Sequence, residues 1–215
     1  MLAIAGGKGG CGKTTTALGL AAALARTGGD SPLVADADTE MPDLHVVAEI
    51  PRSPGLDALA GSAGVRDVAH RTRMTGVRAV PAAGIDTADI STALHRLGAW
   101  EGSTLLDCPA GAARDAARPL RAADRSLLVT TPTEQCLRDT VKTAAMARAL
   151  DAPPVGVVLS RTSGGPDDAV AGAVRSLFDC PVLARVPSTG DRPLRAANVR
   201  SAHDRLAKKI NERNL

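Results

Sequence analysis

Nine consecutive residues near the start, Gly7-Lys8-Gly9-Gly10-Cys11-Gly12-Lys13-Thr14-Thr15, constrain this chain more than any other stretch of it. They satisfy G-x-x-x-x-G-K-[ST], follow a short apolar run at 2–5 (LAIA) and open a helix-periodic stretch at 13–27. A loop of that composition between strand and helix suits phosphate. Its glycines let the backbone turn tightly and aim N–H groups at anionic oxygens. The helix adds the positive end of its dipole. Lys13 is placed to reach the outer phosphates as a point charge, and the Thr14 hydroxyl can ligate magnesium. Only five of the 26 basic residues are lysine, yet two of them, Lys8 and Lys13, lie here, where a forked guanidinium would fit poorly. The competing reading is a glycine-rich turn that merely caps a helix. The strand–loop–helix setting weighs against it.

The rest of the chain alternates short apolar runs with longer amphipathic ones. Strands are predicted at 2–5, 32–36, 77–80, 103–107, 126–131, 155–160 and 182–186. Helices are predicted at 13–27, 88–98, 113–122, 134–150, 166–178 and 201–213, with Gly28-Gly29 and Pro32 ending the first. The Pro- and Gly-rich stretch 51–76 reads as short helices and loops. Several strands are apolar throughout, as in a parallel sheet covered on both faces. The expectation is one domain over residues 1–215: three-layer α/β/α with a mostly parallel central sheet, the P-loop NTPase fold.

Composition trims the functional options. One Phe, one Trp and no Tyr leave the core to Ala, Val, Leu and Ile, and leave no aromatic platforms for stacking bases. The cysteines (Cys11, Cys108, Cys136, Cys180) form no CxxC pair, and a strand-like run begins at residue 2 in place of a signal peptide. Reduced thiols in a cytoplasmic protein are expected. The longest apolar run, 17–25, falls short of the ~20 residues that span a bilayer. Residues 181–215 carry eight Arg or Lys against three acids. That end could meet non-specific DNA, an acidic partner or a membrane surface, or could be a solvated helix face.

The second lysine, Lys8, makes the loop more specific. K-G-G-x-G-K-T-T resembles the deviant Walker A motif of the ParA/MinD superfamily of ATPases, most closely its MinD-like members. Asp36-Ala37-Asp38 with TEMPDLHVV resembles the family's switch segment. Leu105-Leu106-Asp107-Cys108-Pro109-Ala110-Gly111 resembles its Walker B sequence, and residues 128–134 with Asp139 resemble the strand and helix that follow. The resemblance implies binding of ATP with Mg2+ and a face-to-face homodimer formed with ATP. The lysine matching Lys8 crosses to the partner's phosphates, and hydrolysis releases whatever surface the dimer held. It casts Lys8, Lys13 and Asp38 as catalytic, Asp38 positioning the attacking water. Thr14, Asp36 and Asp107 would hold the metal, the acids through its waters, and Gly7 to Thr15 would hold the phosphates. It also implies an activator or cargo protein, which the sequence does not identify.

Two positions depart from the pattern. Asp43 stands where the switch segment usually has Asn, adding a carboxylate that repels phosphates unless it turns away or finds a cation. Ser160, followed by Arg161, replaces the usual adenine-contacting Asn; a serine cannot read a base edge bidentately. Cys11 and Cys108, beside the loop and the Walker B acid, read as small buried hydrophobes, with oxidation at the nucleotide site as the alternative. Ala202, Leu206 and Ile210, flanked by Arg205, Lys208, Lys209 and Arg213, form a narrow stripe that more often closes a domain than enters lipid. Other readings are a nucleotide-dependent adaptor with little or no hydrolysis and an Mrp-like iron–sulfur carrier, which needs the missing CxxC. A further branch, the amidotransferase-linked synthetases, needs a larger substrate pocket than this chain has room for.

Overall fold

A computed structural model of the chain describes residues 1–27, 31–86, 88–163 and 168–212. Its strands are β1 (Leu2–Gly6), β2 (Leu33–Asp36), β3 (His70–Arg71), β4 (Arg78–Val80), β5 (Thr104–Ala110), β6 (Arg125–Thr130), β7 (Pro154–Thr162) and β8 (Val182–Pro187). Its helices are α1 (Lys13–Thr27), α2 (Leu44–Val47), α3 (Leu56–Ala60), α4 (Val65–Val68), α5 (Ile90–Arg96), α6 (Arg114–Ala122), α7 (Glu134–Ala149), α8 (Asp168–Phe178) and α9 (Ala197–Asn211). The strands form one sheet in the order β3-β4-β2-β5-β1-β6-β7-β8, parallel except for β3. This is the α/β P-loop architecture expected.

Alternation along each strand divides the buried core between the two faces of the sheet. Ile4, Val34 and Leu105 face α1 and α9, while Ala3, Ala5, Leu33, Ala35 and Leu106 face α5 and α6. Every residue is therefore covered, and the strands read as unbroken apolar runs. Each fully buried Leu or Ile contributes roughly 1.5–3 kcal/mol. The seven predicted strands are all present. β3 is an addition: two antiparallel residues at the sheet edge, within a stretch read as helices and loops.

The last helix begins at Ala197, four residues before the predicted start at 201, because Val199 is already buried in the core. Its buried positions Val199, Ala202, His203, Leu206, Ala207 and Ile210 form one stripe with helical spacing. The stripe packs on α1 and β8, so it closes the domain and is not exposed for lipid. Arg26 pairs with Asp204 at 2.5 Å, and Lys209 donates to the Leu183 carbonyl at 2.8 Å. The His203 ring fills the space over Gly19, and burial pulls its pKa down to about 4. The Gly28-Gly29 stop, the start of the helix predicted at 166, and Arg213 lie outside the described residues. No helix among those described is long and apolar enough to cross a membrane.

Candidate nucleotide-binding site

β1 ends at Gly6, the chain loops through residues 7–12, and α1 starts at Lys13. Gly10 and Gly12 adopt φ +72° and +95°, left-handed values that glycine alone takes freely, and these turns shape the cradle. The loop is braced from behind. The Gly7 N–H donates to Thr140 Oγ1 at 3.2 Å, and that hydroxyl donates on to the Cys136 carbonyl at 2.7 Å. Gly7 lies so close to α7 that a Cβ there would stand 2.2 Å from the backbone of Asp139 and Thr140. Ser160 Oγ donates to the Cys11 carbonyl at 2.5 Å, with the Thr130 carbonyl at 3.2 Å. Ser160 is thus buried as a brace for the loop and does not line the cavity.

Two carboxylates meet beneath the loop. Asp36, the last residue of β2, pairs in register with Asp107 of β5, and Asp107 in turn pairs with Ile4 of β1. Neighbours in register point to the same face, here the α1 face, so both acids gather at the start of that helix. Asp36 Oδ1 accepts from the Asp38 N–H at 3.1 Å and Oδ2 from the Leu44 N–H at 3.2 Å, tying down both ends of the switch segment. Asp107 Oδ1 is buried and has no hydrogen-bond partner among the described residues. Burial, then the neighbouring Asp107, pushes Asp36 up to about 8. Burial likewise raises Asp107 to about 7, against the pull of the Thr14 hydroxyl and Lys13.

Two buried acids that resist ionising, one with an orphaned oxygen, are short of positive charge. That fits a divalent cation at Thr14. No group of three or more His, Cys, Asp or Glu side chains among the described residues could enclose a metal. Magnesium suits such a place, because it keeps waters and shares phosphate oxygens rather than filling an all-protein cage.

A cavity of about 250 Å³ opens above, lined in part by Gly9, Gly10, Gly12, Lys13, Thr14, Thr15, Asp38, Asp43, Asp107 and Arg161. Lys13 is buried in it at 9% exposure. Lys8 does not line it: it is exposed, with Nζ donating to Gln135 Oε1 on α7 at 3.3 Å. Asp38 Oδ1 accepts from the N–H groups of Glu40 (3.2 Å) and Met41 (2.9 Å), which curls the switch segment around its own acid. Gly7 and Cys11 sit behind the cradle. Cys108 lies against the cavity wall, its thiol 3.5 Å from the Leu106 carbonyl and raised by burial. A larger, more open depression of about 820 Å³, lined by Gly61, Ser62, Gly64, His95 and Arg96 among others, shares none of these residues.

Sequence reasoning missed the partner of Asp43. Its Oδ1 accepts from Thr14 Oγ1 at 3.1 Å, so the unusual carboxylate faces the hydroxyl expected to ligate magnesium. It also missed Thr140 and Gln135, which anchor the loop from α7; the only signal was that helix's resemblance around Asp139.

The braced glycine loop, the buried lysine and the aspartates paired on two neighbouring inner strands define a P-loop nucleotide-binding protein. Residues 2–195 match the model of the CobQ/CobB/MinD/ParA nucleotide binding domain, and the chain belongs to that family, on its MinD-like side. It is similar to two uncharacterized ATP-binding proteins of Methanocaldococcus jannaschii. One is 33% identical over 211 residues (94% of this chain, 77% of the relative). The other is 30% identical over 199 residues (86% and 73%). Among solved structures it resembles the septum site-determining protein MinD of Pyrococcus horikoshii OT3 complexed with Mg-ADP. The TM-score is 0.83 at 25% identity, covering 99% of this chain and 96% of that one.

Proposed function

We propose that this chain is an ATP-binding and ATP-hydrolysing switch of the MinD/ParA type, one domain over residues 1–215, that dimerises with ATP to position a cellular structure. The observation that carries the proposal is the separation of the loop's two lysines. Lys13 is buried in its own cavity, while Lys8 is exposed beside it, its Nζ held among the described residues by a neutral amide. A second cation outside the site is of use to another copy's phosphates. Met41 (79% exposed), Val46 (67%) and Val47 (39%) give the same edge an apolar rim that a second copy would cover.

In this reading the N–H groups of residues 9–14 cradle the phosphates, and Lys13 neutralises the outer ones. Arg161, on the cavity wall, adds a second positive charge from the same copy. Asp38 orients the attacking water. Thr14 directly, and Asp36 and Asp107 through water, would hold magnesium, and the ion would supply a compact positive charge against the phosphates. Lys8 of each copy stabilises charge on the other's nucleotide. The chain would work in the cytoplasm, meeting an activator or cargo protein and through it a membrane surface or the nucleoid. The burial of the α9 stripe favours a partner over direct insertion into lipid.

Light scattering with Mg-ATP, with ADP and without nucleotide tests the cycle. The wild type should dimerise only with ATP, Asp38→Ala should trap the dimer, and Lys8→Ala should stay monomeric while still binding ATP. A monomer under every condition, with ATP binding measured, would sink the dimer. The position of Asp43 on Thr14 favours a second reading, an adaptor that binds nucleotide and hydrolyses little. Phosphate release from the wild type, lost in Asp38→Ala, separates the two. The sequence carries no CxxC pair, which an Mrp-like iron–sulfur carrier would need, so that reading is not favoured.

A further inference from the structure

Ser160 and Arg161 are neighbours in sequence, yet both side chains reach the same phosphate loop. A Cβ at Gly12 would stand 3.5 Å from Ser160 Cβ, and one at Gly10 would stand 3.7 Å from Arg161 Nη2. A regular strand does not allow this, because successive side chains point to opposite faces. Along β7, Val158 packs with α1 and α9 while Leu159 packs with α7 and α8. Ser160 therefore falls on the α1 side, and Arg161 in a regular strand would fall on the other. Arg161 instead takes φ +52°, a left-handed value uncommon for a residue with a side chain. The pairing of β7 with β8 also shifts register between Leu159 and Thr162. Such an irregularity re-aims a side chain, and here it returns Arg161 to the cavity wall. The side chain is exposed there, and among the described residues no hydrogen bond or ion pair ties down its guanidinium.

The order of the sheet decides which part of a nucleotide Arg161 meets. The loop leaves β1; Asp107 on β5 and Asp36 on β2 lie to one side of it, and β6 then β7 lie to the other. With neighbouring strands about 4.8 Å apart, the end of β7 stands roughly 10 Å across from β1, away from the acids. A nucleotide whose cation and outer phosphates sit at Thr14 and Asp107 leads its sugar and base toward β7. Ser160 cannot read that base by its edge, because it is 4% exposed and its one hydroxyl hydrogen is committed to the Cys11 carbonyl. Arg161 offers a planar, delocalised cation at the same place, and bases stack on guanidinium planes. We propose that Arg161 holds the nucleotide's base by its face, so that the site takes purine nucleoside triphosphates as a class, GTP as well as ATP. Every purine has a π-face, so stacking holds adenine and guanine alike; telling them apart needs hydrogen bonds to their edges. The inference deepens the nucleotide-site reading and rests on it.

Titration calorimetry of the full chain with magnesium tests it, using ATP, ADP, GTP and inorganic tripolyphosphate on wild type, Arg161→Ala and Arg161→Lys. Wild type should bind ATP and GTP within about tenfold of each other, since rejection of either needs edge contacts. Arg161→Ala should weaken ATP, ADP and GTP by a common factor of about tenfold, the size of one lost base stack. Tripolyphosphate, which has no base, should weaken by no more than about twofold, because water screens a charge at that distance. Arg161→Lys keeps the charge without the plane and should lie nearer to Arg161→Ala than to wild type. Equal losses for tripolyphosphate and ATP, or full recovery in Arg161→Lys, would make Arg161 a phosphate contact and overturn the proposal. Unchanged ATP affinity in Arg161→Ala would overturn it too, as would a wild-type preference for ATP over GTP beyond about tenfold. If Arg161→Ala does not fold, Arg161→Lys and the wild-type comparison of ATP with GTP decide the matter. A wild type that binds neither nucleotide nor tripolyphosphate would instead remove the nucleotide-site reading itself, and this inference with it.

Discussion

The two sides of the candidate site are held in different ways. The phosphate loop is fastened by other elements: Thr140 of α7 holds Gly7, Ser160 of β7 holds Cys11, and the Gly111 N–H donates to the Gly6 carbonyl at 2.9 Å. The switch segment from Asp38 to Val47 is fastened largely by acids. Asp36 takes the N–H groups of Asp38 and Leu44, Asp38 takes those of Glu40 and Met41, and Asp43 takes the Thr14 hydroxyl. Met41, Val46 and Val47 remain exposed. A loop fixed by packing gives the same cradle whatever it holds. A segment fixed by carboxylates near a cation site feels every change of charge there, which a sensor of nucleotide state needs.

The largest effect should come from breaking the packed side. In Gly7→Ala the new methyl would stand 2.2 Å from the α7 backbone, with no flexible side chain to yield. The loop or the helix must move, at a cost of about 3 kcal/mol or more given what overpacking of rigid cores costs. A drop of roughly 6–12 degrees in melting temperature, or loss of ATP binding, is expected. A variant that melts and binds like the wild type would show that the loop is not braced by α7.

The acidic side should answer to pH. Asp36 and Asp107, raised to about 8 and about 7 from 3.8, keep protons in the folded chain that the unfolded chain has already released. Stability without nucleotide therefore falls as pH rises through that range, the opposite of the usual paired carboxylate. His203, depressed from 6.5 to about 4, pulls the other way, but only below pH 6.5. Between pH 6.5 and 8 the acid pair contributes a loss on the order of 1–2 kcal/mol, since one proton is worth ~1.4 kcal/mol per pH unit; the lowered Cys136 thiol opposes it there, so the pair is read from the difference between wild type and Asp36→Asn. Across that window urea unfolding should show stability falling more steeply with pH in wild type than in Asp36→Asn, where Asp107, raised chiefly by its own burial, still titrates. An equal decline in both would mean that the pair is not the cause.

How much of this was legible beforehand follows from distance along the chain. The loop is contiguous, and Asp36 and Asp107 end or interrupt apolar runs, so motif spacing alone located them. The contacts that brace or tune them are not local. Thr14–Asp43 spans 29 residues and Gly7–Thr140 spans 133, and no periodicity announces either. The same holds for Ser160, which reads as a shortened base contact until its hydroxyl is found on the Cys11 carbonyl. Short elements failed differently. The four residues of α2 are too few for a helical period, and β3 pairs through only two. The early start of α9 was illegible because its entry residue, Ala196, carries none of the polar side chains that mark a helix start.

The smallest effect expected, and the one that bears most directly on the two sides of the site, belongs to Asp43. Asn at this position would still accept the Thr14 hydrogen through its amide oxygen, so the geometry of the switch should survive. What changes is one negative charge, exposed to water and near the place where triphosphate would lie. Through water such a charge repels phosphate weakly, so Asp43→Asn should tighten Mg-ATP only a few-fold, on the order of two to five. ADP, with less charge at the outer phosphate position, should gain less. Titration calorimetry with both nucleotides measures the difference directly. Equal gains would mean that Asp43 acts on the whole cradle and not on the outer phosphate. A weaker affinity for ATP would mean that Asp43 helps to hold the cation, which would place the switch's sensitivity in the metal rather than in the phosphate.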